Sequence, residues 1–156
     1  MLLAPGVVNP HLEELNPDVL YHLGLSTLED LKKMFGDVKF VCMGGSPDRA
    51  KILAEKAAND LGIPIPEGGA QPIGKTERFT LYKVGPIISV SHGMGQPSIE
   101  ILLNEITKLL HYAGCTDVTY LRVGTSGGVG VEGGTIVVTT EGLDGELKPR
   151  LESVQL

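Results

Sequence analysis

The sequence predicts an α/β protein with a mixed, largely parallel sheet, and three observations lead to this class. Short apolar runs that read as strands alternate with longer segments whose apolar residues recur at helical spacing. Several of the runs are apolar on both faces, which is typical of strands covered by helices on both sides. Glycine-rich turns repeatedly join strand to helix. These patterns indicate strand–helix–strand units, to which one antiparallel hairpin is added.

The composition limits the classes of function that the chain can have. With 156 residues, of which 42% are apolar, the chain is long enough for one domain with a core. The formal net charge of −6 argues against nucleic acid or an anionic membrane as the partner. Cys42 and Cys115 have no metal-ligand spacing, and we expect buried, reduced thiols. No signal peptide or membrane-spanning segment is recognised, so the cytoplasm is the expected location.

The beginning of the chain predicts an arm and two helices. Residues 1–16 are expected to form an irregular N-terminal arm, followed by one domain over residues 17–156. An Asn-Pro-Asp sequence opens a short helix that is predicted to run through Leu20, Tyr21 and Leu23. A second helix is predicted to follow Ser26 and to stop at Gly36.

The next segment predicts a strand, a glycine turn and a helix. Residues 37–43 form the first convincing strand, which runs into Gly44-Gly45. Ser46 and Pro47 suit the N-cap and the first helical position, so a helix is predicted from there to Gly62. Free N–H groups at its start, beside two glycines, are a generic site for an oxyanion. The buried stripe of this helix is expected to comprise Ile52, Leu53, Ala57 and Leu61.

The middle of the chain predicts a hairpin and the most regular helix. Residues 78–84 and 87–90 alternate like paired strands and lead to a glycine-rich turn that contains His92. This histidine is either catalytic or a structural residue with satisfied hydrogen bonds, and both interpretations stay open. A helix is predicted from Pro97 to Gly114. Its expected solvent-side partners are Glu105 and Lys108.

Residues 122–128, Arg-Val-Gly-Thr-Ser-Gly-Gly, follow a strand that is predicted to be buried over 117–123. They combine a cation, two hydroxyls and unencumbered backbone amides at a strand end, where ligands of α/β sheets bind. Arg122 in a buried strand is costly unless an anion or a carboxylate pairs with it. A bound anion and an internal salt bridge, to Glu132 or Asp117, are weighed equally. Further extended pieces are predicted over 135–140 and 151–156.

Two glycine turns at strand ends, each near an arginine, fit one anion held between them; the arginines are Arg49 and Arg122. Arginine suits phosphate because its fork donates two parallel hydrogen bonds. The sequence shows no paired carboxylates, no Ser-His-Asp set and no metal-ligand spacing. The predicted chemistry is therefore positioning and charge stabilisation around an anion.

Six motifs, taken together and in this order, resemble a known family. They are Leu20-Tyr21-His22-Leu23, residues 35–42, Gly44-Gly45-Ser46-Pro47, Ser91-His92-Gly93-Met94-Gly95, residues 109–113 and residues 122–128. The family is the nucleoside phosphorylases, and the motifs look closest to the uridine phosphorylases of animals. The resemblance runs from about the first predicted helix to the end of the chain.

The resemblance implies a three-layer fold around a twisted central sheet. It also implies that inorganic phosphate, as co-substrate and without a further cofactor or metal, cleaves uridine to uracil and ribose 1-phosphate. The implied phosphate-binding residues are Gly45, Arg49, Arg78, Arg122, Gly124 and Thr125, of which Arg122 and Thr125 would act in catalysis. The nucleoside would be bound by His22, Ser126 and Gly127. Since Arg78 and His22 would reach a neighbouring subunit's pocket, the implied partners are the two small substrates and further copies of the chain.

Members of this family are longer, so the resemblance implies that a segment binding uracil and the ribose hydroxyls is absent. We expect residues 17–156 to be a partial nucleoside phosphorylase domain that carries the phosphate-binding half. One hypothesis is an enzyme that needs the missing half. A second is a catalytically inactive truncated isoform or fragment that binds phosphate or pairs with a full-length subunit. A third is a hydrolase of the same fold, which three phosphate-binding arginines disfavour.

Overall fold

The computed structural model describes residues 10–74 and 76–150, apart from the side chain of Glu13. The chain divides into two units, Met1–Gly124 and Thr125–Leu156. Of the predicted N-terminal arm, the described residues contain a 3₁₀ helix, Pro10–Glu14. The remainder of the arm and the extended piece predicted over 151–156 lie outside the described residues. The boundary between arm and domain at residue 17 stays a prediction.

The described part of the first unit contains six strands and three α-helices. In chain order they are β1 (Val19–Leu20), β2 (Leu25–Ser26), α1 (Leu31–Phe35), β3 (Phe40–Gly44), α2 (Pro47–Leu61), β4 (Leu81–Val84), β5 (Ile87–Ser91), α3 (Gln96–Tyr112) and β6 (Thr119–Arg122). The main sheet has the strand order β4-β5-β3-β6. Strands β5, β3 and β6 are parallel, and β4 is antiparallel to β5. The predicted α/β class with a mixed, largely parallel sheet is confirmed.

Helices pack on the main sheet in two clusters of buried residues. Helices α1 and α3 join the larger cluster, in which the sheet contributes Val41, Met43, Ile88 and Val90. Helix α2 forms the smaller cluster through three alanines, against Tyr82 and Val84 of β4. Because neighbouring residues of a strand point to opposite faces, the two clusters lie on opposite faces of the sheet. The result is three layers, with the sheet in the middle.

The buried face of α2 differs from the prediction. Ala50, Ala54 and Ala58 are buried at every fourth residue, whereas Ile52 and Leu61 are 63% and 50% exposed. The Ser89 hydroxyl of β5 donates a 2.8 Å hydrogen bond to the carbonyl oxygen of Ala50, so the helix lies close to the sheet. Only small side chains fit at this separation. The predicted stripe is therefore wrong at Ile52 and Leu61, because it follows the hydrophobicity of the side chains and ignores their size.

The segment predicted as the first helix is a β-hairpin. Strands β1 and β2 pair with Leu20 opposite Leu25. The turn between them contains Gly24 at φ 64°, a left-handed conformation that suits glycine and lets the chain reverse. The second predicted helix does form, as α1, but it begins later than Ser26. Its N-cap is Asp30, whose carboxylate accepts a backbone N–H of the first turn at 3.0 Å.

The strand that was predicted to be buried over 117–123 is β6, an edge of the main sheet. Its residues are exposed or half-buried, and Leu121 is 44% exposed. In the second unit, the described residues 125–150 form neither helix nor strand, so the strand predicted over 135–140 is wrong. Three apolar residues there are exposed: Ile136, Val137 and Val138. A strand needs a neighbour that pairs with its backbone groups, and the described residues supply none to this segment.

Two expectations from composition concern the cysteines and the membrane. Cys42 and Cys115 are free thiols, but they are half-buried rather than fully buried. Burial raises the pKa of both thiols. Among the residues that the structure describes, no helix combines the length and the apolar character needed to cross a membrane.

Candidate functional site

The carboxyl ends of three parallel strands meet at one edge of the main sheet. The backbone N–H of His92, just after β5, donates a 2.7 Å hydrogen bond to the carbonyl oxygen of Gly44 at the end of β3. On the other side of β3, the N–H of Val123 donates to the carbonyl oxygen of Met43 at 2.8 Å. These bonds extend the parallel ladders past the strands. They bring both glycine turns and Arg122 to the edge where ligands of α/β sheets bind.

The turn after β3 lies in close contact with both of its neighbours. A Cβ atom at Gly45 would lie 3.4 Å from the carbonyl oxygen of Gly93, and one at Gly44 would lie 3.5 Å from that of Val123. Helix α2 then begins after Ser46, whose side chain makes no capping hydrogen bond in the described structure. The first amide groups of α2 are thus not capped by that hydroxyl, which suits an anion at this helix N-terminus.

Arg122 is exposed at the end of β6. Its guanidinium lies over Gly124, where a Cβ atom would approach Nη1 to 3.3 Å. The prediction that Arg122 interrupts a buried strand is wrong, since β6 is an edge strand. Of the two salt-bridge partners considered, Asp117 forms no ion pair with it in the described part of the first unit, and Glu132 belongs to the second unit. An exposed cation at a strand end remains suited to an anionic ligand.

Arg49 is exposed in the first turn of α2, the helix that starts at the same sheet edge. Four residues predicted to bind phosphate are therefore carried by the edge and the start of α2: Gly45, Arg49, Arg122 and Gly124. The first turn of α2 also contains Asp48, an acidic residue that favours the helix N-terminus but competes with a bound anion.

Arg78 is connected to the same edge through the start of α3. Its Nη2 donates a 3.4 Å hydrogen bond to the Ser98 hydroxyl, which in turn donates to the carbonyl oxygen of His92 at 2.7 Å. The guanidinium also lies 5.6 Å from the centre of the Phe79 ring. Ser98 is 7% exposed, and no motif of the sequence predicts its role. Its position one residue after Pro97, in the turn that opens α3, is the signal that would have identified it.

His22 lies in the hairpin turn, where Glu105 of α3 holds it. Its Nδ1 is 2.7 Å from Oε1 of Glu105, and the same carboxylate accepts the backbone N–H groups of His22 and Leu23 at 2.9 to 3.0 Å. The predicted solvent-side pair of Glu105 and Lys108 is wrong, because Lys108 pairs with Asp18 instead. In the sequence, Glu105 directly precedes Ile106, a residue of the buried stripe of α3. This position turns the Glu105 side chain toward the hairpin and is the signal that would have identified the contact.

His22 and Arg78 contact the same buried aromatic residue. The His22 ring centre is 6.1 Å from that of Phe79, the residue over which the Arg78 guanidinium lies. Phe79 is 1% exposed, whereas both polar residues are at least partly accessible. The two residues that were predicted to serve a neighbouring subunit are thus brought together on the surface of this chain.

His92 is buried at 5% exposure, and in the described structure neither ring nitrogen has a hydrogen-bond partner. Burial lowers the pKa of His92, and the charge of Arg122 lowers it further. The ring is therefore neutral near pH 7. The catalytic and the structural interpretation of His92 both stay predictions. The described structure shows a buried ring whose pKa is lowered first by burial and then by the charge of Arg122.

Thr125, Ser126 and Gly127 belong to the second unit. Within that unit, Ser126 and Gly127 line a cavity of about 270 Å³, which Glu132 and Thr135 also border. A Cβ atom at Gly127 would meet no other atom within 4 Å, so a ligand can approach its backbone closely. These properties suit a segment that borders a small molecule.

Comparisons with known proteins show the family to which the chain belongs. Residues 39–152 match the sequence profile described as the Phosphorylase superfamily. The chain is 50% identical to human uridine phosphorylase 2 over 152 residues, which are 96% of this chain and 48% of the relative. It is 46% identical to the inactive uridine phosphorylase B of Schistosoma mansoni, over 96% of this chain and 50% of that protein.

Among solved structures, the chain is similar to uridine phosphorylase of Schistosoma mansoni in complex with uracil. The TM-score is 0.84 at 49% identity, with 91% of this chain and 50% of the other chain covered. The chain thus spans about half the length of the curated relatives that it matches. These findings confirm the resemblance that the six sequence motifs carry.

Proposed function

Because the chain belongs to the phosphorylase superfamily, we propose that it serves the phosphorolysis of pyrimidine nucleosides in their salvage and catabolism. Inorganic phosphate attacks C1′ of uridine, the glycosidic bond breaks, and its electron pair leaves with the base, which gains the proton that hydrogen phosphate gives up. The products are uracil and ribose 1-phosphate. The reaction needs a cationic cradle for the nucleophile and little other chemistry from the protein. In this proposal it takes place in the cytoplasm.

The observation that carries the proposal is the meeting of two glycine turns and Arg122 at one sheet edge. The hydrogen bonds of His92 to Gly44 and of Val123 to Met43 fix the three strand ends relative to one another. Phosphate bound here would contact the backbone of Gly45 and the side chains of Arg49 and Arg122. Gly124 lets the guanidinium of Arg122 fold over the backbone, because any side chain there would approach it closely.

In this proposal Arg122 and Thr125 act in catalysis. The transition state combines a phosphate that has begun to bond with a sugar that carries positive charge. Arg122 would hold the phosphate oxygens with its fork of N–H donors, and the Thr125 hydroxyl would fix a further oxygen. Positioning the nucleophile against C1′ converts a bimolecular attack into an effectively unimolecular one. Neither residue needs to form a covalent bond.

The sugar and the base would be bound partly by this chain and partly by a neighbour. Ser126 and Gly127 would border the base, and the open space at Gly127 supports this role. His22 and Arg78 would reach a second subunit's pocket, to the ribose 5′-hydroxyl and to phosphate respectively. Their common contact with Phe79 supports a joint role. We therefore propose a homo-oligomer in which subunits share active sites.

A second candidate function rests on the length of the chain, which is about half that of the relatives it matches. In this alternative the chain is catalytically inactive, and it binds phosphate or pairs with a full-length subunit. One relative of comparable identity is described as an inactive uridine phosphorylase. A nucleosidase that uses water is disfavoured, because a hydrolase has no need of Arg49, Arg78 and Arg122.

The deciding experiment is to assay the 156-residue chain for uracil release from uridine, with and without phosphate. Phosphate-dependent release that yields ribose 1-phosphate supports the phosphorylase. No turnover, together with thermal stabilisation by phosphate, supports the second candidate, since a ligand stabilises the folded state that binds it. Release of uracil at the same rate without phosphate would contradict both and support hydrolysis.

A further inference from the structure

Glu105 makes an unusually complete set of contacts for a helix carboxylate. It lies in the middle of α3, its side chain is 14% exposed, and it faces the turn of the β1–β2 hairpin. Both of its oxygens accept the N–H of His22, at 3.0 and 2.9 Å, and Oε2 also accepts the N–H of Leu23 at 2.9 Å. The shortest contact is the one to the imidazole, 2.7 Å from Oε1 to Nδ1.

The two backbone contacts would suffice to hold the turn. The contact to Nδ1 also selects the tautomer of the imidazole, because an ionised carboxylate only accepts hydrogen bonds. The proton of a neutral His22 ring must therefore reside on Nδ1, which leaves Nε2 with a lone pair. In the described structure Nε2 has no hydrogen-bond partner, and the side chain is about one-third exposed. The hairpin thus presents Nε2 of His22 as a hydrogen-bond acceptor. The contact between Nδ1 and Glu105 fixes the direction in which Nε2 points.

Aromatic neighbours restrict the same ring. The Tyr21 ring lies edge-on at 5.5 Å between centres, and the Phe79 ring lies at 6.1 Å. With Nδ1 bonded to Glu105, rotation of the ring would break a short, partly buried hydrogen bond. When the ring is neutral, its single tautomer and orientation discriminate between ligands: Nε2 accepts from a hydroxyl donor, and the carboxylate of Glu105 disfavours an anion.

From these contacts we propose that Glu105 is the positioning residue that presents Nε2 of His22 to a sugar hydroxyl. The inference rests on the proposed function, in which His22 meets the 5′-hydroxyl of a nucleoside, and it adds the residue that makes His22 an acceptor. The ligand class is then a nucleoside with a free 5′-hydroxyl. A nucleoside whose 5′-oxygen carries no hydrogen lacks the donor that Nε2 requires.

The first arm of the test reads the tautomer directly. Long-range ¹⁵N–¹H spectra of the histidine rings are recorded for the 156-residue chain and for the Glu105→Gln and Glu100→Gln variants. Glu100 is the matched control, since it is on the same helix but bonds to Gln96. The wild type and Glu100→Gln should show the Nδ1–H form of His22. Glu105→Gln, which loses one acceptor oxygen and the charge, should shift the ring toward the Nε2–H form.

The second arm measures binding of uridine and of 5′-O-methyluridine in the presence of phosphate. Loss of one hydrogen bond should weaken binding of the methyl ether by roughly threefold to tenfold in the wild type and in Glu100→Gln. In Glu105→Gln the preference should fall below about twofold. Circular dichroism and melting curves establish that each variant is folded.

The outcomes separate the inference from the proposed function. An Nε2–H tautomer in the wild type, or equal binding of the two nucleosides, overturns the inference while the phosphorylase proposal stands. A chain that binds neither nucleoside contradicts the proposed sugar contact, and the inference falls with it. An unchanged tautomer and an unchanged preference in Glu105→Gln would show that Glu105 only holds the turn.

Discussion

The backbone N–H of His92 donates a hydrogen bond to the carbonyl oxygen of Gly44 at 2.7 Å, so the ladder between β5 and β3 continues past the strands. This bond fixes the glycine turn after β5 against the glycine turn after β3. A Cβ atom at Gly45 would lie 3.4 Å from the carbonyl oxygen of Gly93, which leaves room for little beyond backbone between them. The anion site that we propose is therefore built mainly from main chain, with arginine side chains around it.

Replacing Arg122 should remove most of the stabilisation that phosphate confers. In Arg122→Ala the phosphate loses a bidentate donor, and Arg122→Lys should retain only part of the effect because an ammonium group lacks the fork. Saturating ligand at about 100 times its dissociation constant stabilises a protein by about 2.7 kcal/mol, which sets the scale of the expected loss. Melting temperature is measured against phosphate concentration at constant ionic strength.

The control for this measurement is Lys56→Ala. Lys56 is an exposed residue of α2 that pairs with Asp60, so the variant removes one positive charge away from the sheet edge. Phosphate should stabilise it as much as the wild type. Equal stabilisation of Arg122→Ala and the wild type would show that the anion binds elsewhere.

Enlarging the buried face of α2 should destabilise the chain. Ala54 is 1% exposed and faces the sheet, so Ala54→Leu inserts three carbon atoms into a closely packed contact. We expect a loss of about 1–3 kcal/mol in the free energy of unfolding. Ile52→Ala, two residues away and 63% exposed, should change it by no more than about 0.5 kcal/mol. Urea unfolding followed by circular dichroism measures the free energy of unfolding of both variants. A larger loss in Ile52→Ala than in Ala54→Leu would support the buried stripe that hydrophobicity predicts.

This helix shows how far the sequence could predict the fold. The strand, turn and helix order around Gly44 was visible because glycine, Ser46 and Pro47 each have a local conformational reason to be there. The buried face of α2 was not visible, because it depends on how close β5 approaches, as the Ser89 to Ala50 hydrogen bond shows. The segment that ends at Leu23 is predicted as helix because Asn16 and Pro17 suit a helix start, whereas the structure reverses the chain in a turn that contains Gly24.

Breaking the ion pair of Asp18 should cost more than breaking an exposed one. Asp18 is 6% exposed, it accepts a 2.7 Å hydrogen bond from the Tyr112 hydroxyl, and it pairs with Lys108. Burial alone would raise the pKa of this carboxyl, but the contacts with Lys108 and Tyr112 lower it overall. Lys108→Ala leaves a buried carboxylate without its cation but with the Tyr112 hydroxyl still bonded, and we expect a loss of about 1–3 kcal/mol.

The matched variant is again Lys56→Ala, whose partner Asp60 is exposed, and its expected loss is below about 0.5 kcal/mol. Both losses are read from urea unfolding at neutral pH. Similar losses in the two variants would mean that Lys108 contributes no more than a surface charge.

The position of the glycine turns and of Arg122 at one sheet edge is predictable from the sequence, because each of them follows a predicted strand. The binding of an anion by Gly45 and Arg122 stays a prediction. The sequence pattern predicts Glu105 on the solvent side of α3, since a sequence does not reveal that a hairpin lies over the middle of this helix. Ser98 escaped notice for a similar reason: its role follows from contacts with His92 and Arg78, which are six and twenty residues away in sequence.

His92 should make the chain less stable in mild acid. Burial, and then the charge of Arg122, lower the pKa of His92 below its ordinary value of 6.5. As pH falls through 6.5, the unfolded chain takes up a proton at this residue while the folded chain does not, so protonation favours unfolding. The contribution of His92 to stability is therefore fully present above pH 6.5 and decreases below it.

His92→Gln removes this titration and keeps a polar side chain of similar length. The wild type should lose more stability than His92→Gln when the pH is lowered from about 7.5 to about 5.5, which spans the ordinary pKa of histidine. His111→Gln is the control, because His111 is exposed on α3 and packs against Tyr112 rather than in the core. Melting temperatures at the two pH values give the comparison. If His92→Gln and the wild type lose the same stability, the ring is either solvated or already paired in solution, and a buried neutral His92 beside Arg122 is contradicted.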